Sequence, residues 1–160
     1  MSLSPTPFGR LPGGARLDRE WIESHIPHRG RMCLLDEVLS WDAVRIRCRA
    51  TSHRLIDNPL RAHGRLGAAC GVEYAAQAMA VHGAIMAHVA GTQARAGLLT
   101  SVRNLALRIT HLDDVDTDLI ASAERLAGDE GSTLYEFTVS GGGHELLSGR
   151  IGIVFAAGAI

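Results

Sequence analysis

The chain has 160 residues, 46% of them apolar, which suits one globular domain with its own core and excludes a disordered segment. Sixteen basic against seventeen acidic side chains leave a net charge of −1, without the basic excess that a nucleic-acid surface wants. Three cysteines, Cys33, Cys48 and Cys70, match no zinc spacing and are an odd number for a disulfide framework, so reduced thiols in a cytoplasmic protein are expected.

Residues 1–16 hold three of the five prolines together with Gly9, Gly13 and Gly14, and are expected to form a flexible arm ahead of one domain over 17–160. This start has no basic region leading into an apolar run, so no secretory signal is expected. Leu17 to His25 predicts a short helix, with Asp18 as N-cap, Trp21 and Ile22 as its apolar face, and Pro27 as its end. Met32 to Trp41 and Val44 to Ser52 predict two strands joined at Asp42-Ala43. The second alternates: Val44, Ile46, Cys48 and Ala50 share one face, and Arg45, Arg47 and Arg49 share a solvated one.

An irregular stretch from His53 to Arg65 follows. Leu66 to Ala90 is rich in alanine, free of proline and almost free of charge, which predicts a helix of five or more turns. Its apolar residues run nearly all round, so it is expected to be buried on most sides. Gln77, His82, Gly83 and His88 interrupt the run, which excludes a membrane span. Gly97 to Thr110, Asp118 to Leu126, Ser132 to Ser140 and Glu145 to Phe155 read as four further strands, the last two joined at Gly141-Gly142-Gly143. Strands segregated from one long helix predict an α+β layer, with the sheet curled round that helix.

Two motifs carry a resemblance. Ile26-Pro27-His28-Arg29 precedes Met32-Cys33-Leu34-Leu35-Asp36-Glu37-Val38, and Gly71-Val72-Glu73-Tyr74-Ala75-Ala76-Gln77-Ala78-Met79-Ala80 opens the long helix. They resemble the leucine-proline-histidine-arginine element, the "LLVDRV"-like first strand and the "E-A-M-A-Q" helix segment of the hot-dog β-hydroxyacyl-(acyl carrier protein) dehydratases. His63-Gly64-Arg65-Leu66 through Gln77 is similar to the "DGRLP…GIEYMAQ"-like segment of a divergent branch, the predicted dehydratases of aryl polyene-type pathways. The resemblance covers Asp18 to the C-terminus. It implies a hot-dog fold, with a curled antiparallel sheet around one central helix, and dehydration of a 3-hydroxyacyl thioester in fatty-acid or polyene-type lipid biosynthesis. It implies no cofactor beyond phosphopantetheine carrying the substrate, and acyl carrier protein or coenzyme A as the carrier. It also implies an edge-to-edge homodimer or higher homo-oligomer with the site between copies.

Dehydration needs a base at C2, an acid at the C3 hydroxyl and a donor at the thioester oxygen. Glu73 is the sole acidic residue between Asp57 and Asp113 and sits in an apolar helix, so a desolvated carboxyl group is expected there. The resemblance makes it the acid that serves the hydroxyl; the plainer alternative is a charge that favours the helix dipole. Gln77, four residues on, shares its face and would orient it or a water, or is an ordinary buried amide.

The family's catalytic histidine lies in a "G-H-F-P-G"-like loop. Here His63, ten residues before Glu73, is the candidate base, with a surface histidine as the alternative and His53 next in line. His28 belongs to the matched motif and is expected to be structural or to line the substrate pocket. The amides near Cys70 and Gly71 are expected to bind the thioester oxygen. Cys70 itself lacks an activating pair and reads as a small core residue. Arg29, Arg61 and Arg65 are candidates for meeting phosphopantetheine or the carrier; the plainer alternative is ordinary solvated arginines, which is the reading taken for Arg61. No histidine or cysteine spacing suits a metal. A thioesterase, or an acyl-thioester-binding accessory subunit without catalysis, are the alternatives on the same fold.

Overall fold

A computed structural model describes residues 10–156. In it a six-stranded antiparallel sheet curls round one long helix. The elements are α1 (Arg19–His25), β1 (Glu37–Trp41), β2 (Arg45–Ala50), α2 (Gly71–Ala90), β3 (Gly97–Leu107), β4 (Leu119–Gly128), β5 (Ser132–Gly141) and β6 (His144–Phe155). The strand order is β1-β2-β4-β5-β6-β3, and α2 packs on β2, β4 and β5. The expected alternation holds in β2, where Ile46, Cys48 and Ala50 are buried and Arg45 and Arg47 are exposed.

Local chemistry sets the boundaries. Asp18 caps α1, its Oδ1 accepting from the Trp21 N–H at 3.1 Å. Asp42 Oδ1 accepts from the amides of Val44 and Arg45 and so turns β1 into β2. Gly91, at φ 70°, closes α2 as a left-handed cap.

Three boundaries differ from the expectation. Residues 66–70 do not extend α2; Ala68–Cys70 form a 3-10 turn, and the amide of Ala68 bonds Thr110 instead. Cys33, Leu34 and Leu35 are buried and Asp36 half-buried, but all four lie outside β1. Of the expected arm, residues 1–9 lie outside the described residues. Residues 10–16 are anchored: Arg10 bridges Arg16, Leu11 is in the core, and the Trp41 Nε1–H donates to the Arg10 carbonyl.

One side of α2 is sealed and the other is open. Tyr74, Ala75, Gln77, Ala78, Val81, His82 and Ile85 are buried against the sheet, whereas Val72, Glu73, Ala76 and Ala80 are half-buried and Gly83 is exposed. The two sheet edges differ too. The chain at Leu17 and Asp18 partly covers β1, with the Val38 N–H donating to the Leu17 carbonyl. At the other edge, β3 exposes Leu98, Leu99, Val102, Leu105 and Leu107, Leu98 by 68%.

His82 ties α2 to the sheet. Its Nε2–H donates to the Asp42 carbonyl at 2.8 Å, and its Nδ1 accepts from the Tyr135 hydroxyl at 2.7 Å. Burial holds the His82 imidazole below its ordinary pKa and pushes the Tyr135 phenol up to about 12. His53, sealed behind the loop after β2, is also held low by burial. A histidine with a lowered folded pKa stabilises the fold above its unfolded pKa and loses that stabilisation as pH falls through the folded one. Urea midpoints should therefore be flat between about pH 7 and about pH 8 and fall below about pH 6.5, each histidine adding a slope of up to about 1.4 kcal/mol per pH unit. Unchanged midpoints down to about pH 5 would contradict this assignment.

Candidate active site

The N-terminal turns of α2, the loop after α1 and the segment before β1 converge on Glu73. Glu73 and Gln77 lie one helical turn apart, and the Gln77 Nε2 donates to Glu73 Oε1 at 3.2 Å. The His28 Nε2 lies 3.2 Å from the same oxygen. Among the described residues no hydrogen bond reaches Oε2. The carboxyl group is thus held through one oxygen, and the other is left without a hydrogen bond. The Glu73 side chain is 35% exposed, so it is not the desolvated carboxyl group expected from an apolar helix. That face of α2 is uncovered in a single chain.

Gln77 is fully buried and serves two purposes. Its Oε1 accepts from the Leu34 N–H at 2.9 Å and its Nε2 donates to the Met32 carbonyl at 2.8 Å. It orients Glu73 and also satisfies a buried stretch of backbone that has no strand partner.

The loop carrying His28 is clamped to α1. The Arg29 guanidinium donates to the carbonyls of Glu23, Ile26 and His28, and the Gly30 N–H donates to the Glu23 carboxylate at 2.6 Å. Arg29 is therefore spent on backbone. Arg61 and Arg65 are likewise paired, both with Asp113. Trp21 stacks on His25 at 3.8 Å between ring centroids and meets His88 of α2 edge-on.

The loop leading into α2 rests on a second network. Asn58 Nδ2 donates to the Tyr74 hydroxyl at 3.1 Å and to the Ser52 carbonyl at 2.9 Å. The Tyr74 and Ser52 hydroxyls meet at 2.7 Å, and Ser52 donates to the Leu34 carbonyl at 2.8 Å.

The structure does not bring the remaining sequence candidates to Glu73. His63 is exposed, at φ 53°, in the turn bridging Ala62 and Arg65. It makes no contact with Glu73 of its own chain. His53 is fully buried and its Nε2–H donates to the Val115 carbonyl at 3.0 Å, which removes the second candidate base from solvent. The expected amide site at Cys70 and Gly71 is also altered. The 3-10 turn uses both N–H groups internally: Cys70 donates to the Gly67 carbonyl, Gly71 to Ala68 and Ala69. A Cβ on Gly71 would stand 2.5 Å from Leu147 Cδ2, so its lack of a side chain serves close helix–sheet packing. Burial pushes the Cys70 thiol up, away from a nucleophilic thiolate. Among the described residues no group of three histidine, cysteine or acidic side chains could hold a metal ion. Among the described residues no helix is long and apolar enough to cross a membrane.

A family model described as ApeP dehydratase matches residues 20–157. No curated protein matches the chain. Among solved structures the chain is similar to the dehydratase heterocomplex ApeI:P from Xenorhabdus doucetiae, with a TM-score of 0.75 and 21% identity over 85% of this chain and 91% of that one. It is also similar to zebra fish thioesterase superfamily member 2, with a TM-score of 0.58 and 12% identity over 86% and 95% of the two chains. A thioesterase from Haemophilus influenzae follows, with a TM-score of 0.55 and 10% identity over 75% and 77%. At these identities the likeness is one of fold, and the fold is the hot-dog.

Proposed function

The chain belongs to the ApeP-like dehydratase family, and on that premise we propose that it removes water from a 3-hydroxyacyl thioester held on the phosphopantetheine of acyl carrier protein, leaving the trans-2-enoyl thioester in fatty-acid or polyene-type lipid biosynthesis. Glu73 is the acid. The observation that carries this reading is the carboxyl group gripped at Oε1 by Gln77 and His28, with Oε2 left for a substrate. A proton on Oε2 passes to the C3 hydroxyl as the C3–O bond breaks, and a histidine takes the proton from C2.

That histidine is His63 of a second copy. Its exposure, and the absence of a contact with its own Glu73, support this assignment. The exposed leucines of β3 support a homodimer formed along that edge, with its two sites shared between copies.

The test incubates the protein with 3-hydroxyacyl carrier protein and follows products by mass spectrometry. Loss of one water supports the proposal; release of the free acid indicates a thioesterase, and binding without turnover an accessory subunit. Mixing Glu73→Gln with His63→Ala chains then separates the two arrangements. Sites shared between copies recover activity in the mixture, because one site of each hybrid keeps both groups. No recovery overturns the shared site.

A further inference from the structure

We propose that His28 is the positioning residue of Glu73, supplied by the same chain, and that it determines which carboxyl oxygen meets the substrate; this rests on the reading of Glu73 as the acid. Among the described residues the His28 ring has a single polar contact, Nε2 to Glu73 Oε1 at 3.2 Å. Nδ1 is buried without a partner. The role requires the proton on Nε2, facing the carboxylate, with Nδ1 keeping its lone pair. In the other tautomer a buried N–H would face no acceptor while two acceptors faced each other across the contact.

The surroundings hold the ring in this role. Arg29 clamps the carbonyl of His28 together with those of Glu23 and Ile26, and the Arg19 guanidinium donates to the Gly30 carbonyl at 2.8 Å. Gln77, the other donor on Oε1, is fixed by the backbone of Met32 and Leu34. Two nitrogens from separate elements, the Gln77 Nε2 hydrogen-bonded and the His28 Nε2 3.2 Å away, therefore converge on one oxygen. When Glu73 gives the Oε2 proton to the departing hydroxyl, the negative charge left on the carboxylate meets those two nitrogens already in place. The electrons of the C2–H bond become the new double bond, the C3–O pair leaves with the water, and the proton taken at C2 later returns to Glu73 through solvent. His28 exchanges no proton with the substrate.

His28→Ala is expected to lower kcat by roughly tenfold to a hundredfold, less than a donor aimed directly at the reacting oxygen would cost, with KM changed less than about threefold. His28→Gln, which places an amide N–H near Nε2, is expected to recover most of that loss. Nitrogen-15 NMR of the unmodified protein is expected to show the His28 ring as the Nε2–H tautomer, a readout independent of turnover. A His28→Ala enzyme within about twofold of the original kcat, a His28→Gln enzyme no better than the alanine variant, or an Nδ1–H ring would each overturn the role. Glu73→Gln, measured alongside, separates the two claims. If it is inactive while His28→Ala is unimpaired, only the positioning role fails; if it is fully active, the acid assignment fails and takes this role with it.

Discussion

Glu73→Gln is expected to lower kcat for dehydration by about two to four orders of magnitude, the usual contribution of a placed general acid, while leaving the fold intact. The substitution is nearly isosteric. A glutamine at 73 keeps an oxygen to accept from Gln77 and to lie against the His28 Nε2, so the contacts on that side survive. What disappears is the proton on the second oxygen. Since the side chain is 35% exposed, the change in unfolding free energy should stay within about 0.5 kcal/mol. Mass spectrometry of the acyl product gives the first quantity and urea denaturation the second. Ordinary turnover in this variant would remove Glu73 from the chemistry.

Replacing Leu98 and Leu105 together with lysine is expected to convert the proposed homodimer to monomers and to abolish dehydration with it. Both side chains lie on β3, the edge strand paired only with β6, and are exposed, Leu98 by 68% and Leu105 by 40%. Covering the five exposed apolar side chains of β3 contributes on the order of 1 kcal/mol for each, since about half of each is withdrawn from water. Two lysines remove part of that gain and leave charges to be desolvated, which is how natural edge strands avoid partners. Light scattering measures the mass in solution, and the product assay measures the coupling. A double variant that is monomeric yet fully active would show that one chain suffices; one that stays assembled would place the interface elsewhere.

The architecture was readable where local chemistry decides it. The Asp18 cap, the alternation of Ile46, Cys48 and Ala50, and the long alanine-rich helix each need only neighbours in sequence. The Glu73–Gln77 pair was readable for the same reason, being one turn apart. The errors arise where distant partners decide. Leu66 to Cys70 has helical composition, but the amides of Leu66 and Ala68 are taken by Asp113 and Thr110. Cys33 to Leu35 has the apolarity of a strand, yet Leu34 finds its partner in the Gln77 side chain. His28 and Glu73 are joined only by the fold, so nothing in the local pattern marks His28 as a neighbour of the carboxyl group. The open face of α2 escaped for another reason. An apolar surround reads as burial whether the cover comes from the same chain or from another.

The Gln77 amide has a consequence of its own. It stands where a neighbouring strand's peptide unit would stand, bonding one carbonyl and one N–H of the 32–34 segment while also steering Glu73. Scaffold and reactivity are therefore not separately adjustable at this position: a library selected for solubility alone and one selected for turnover alone should both return glutamine there.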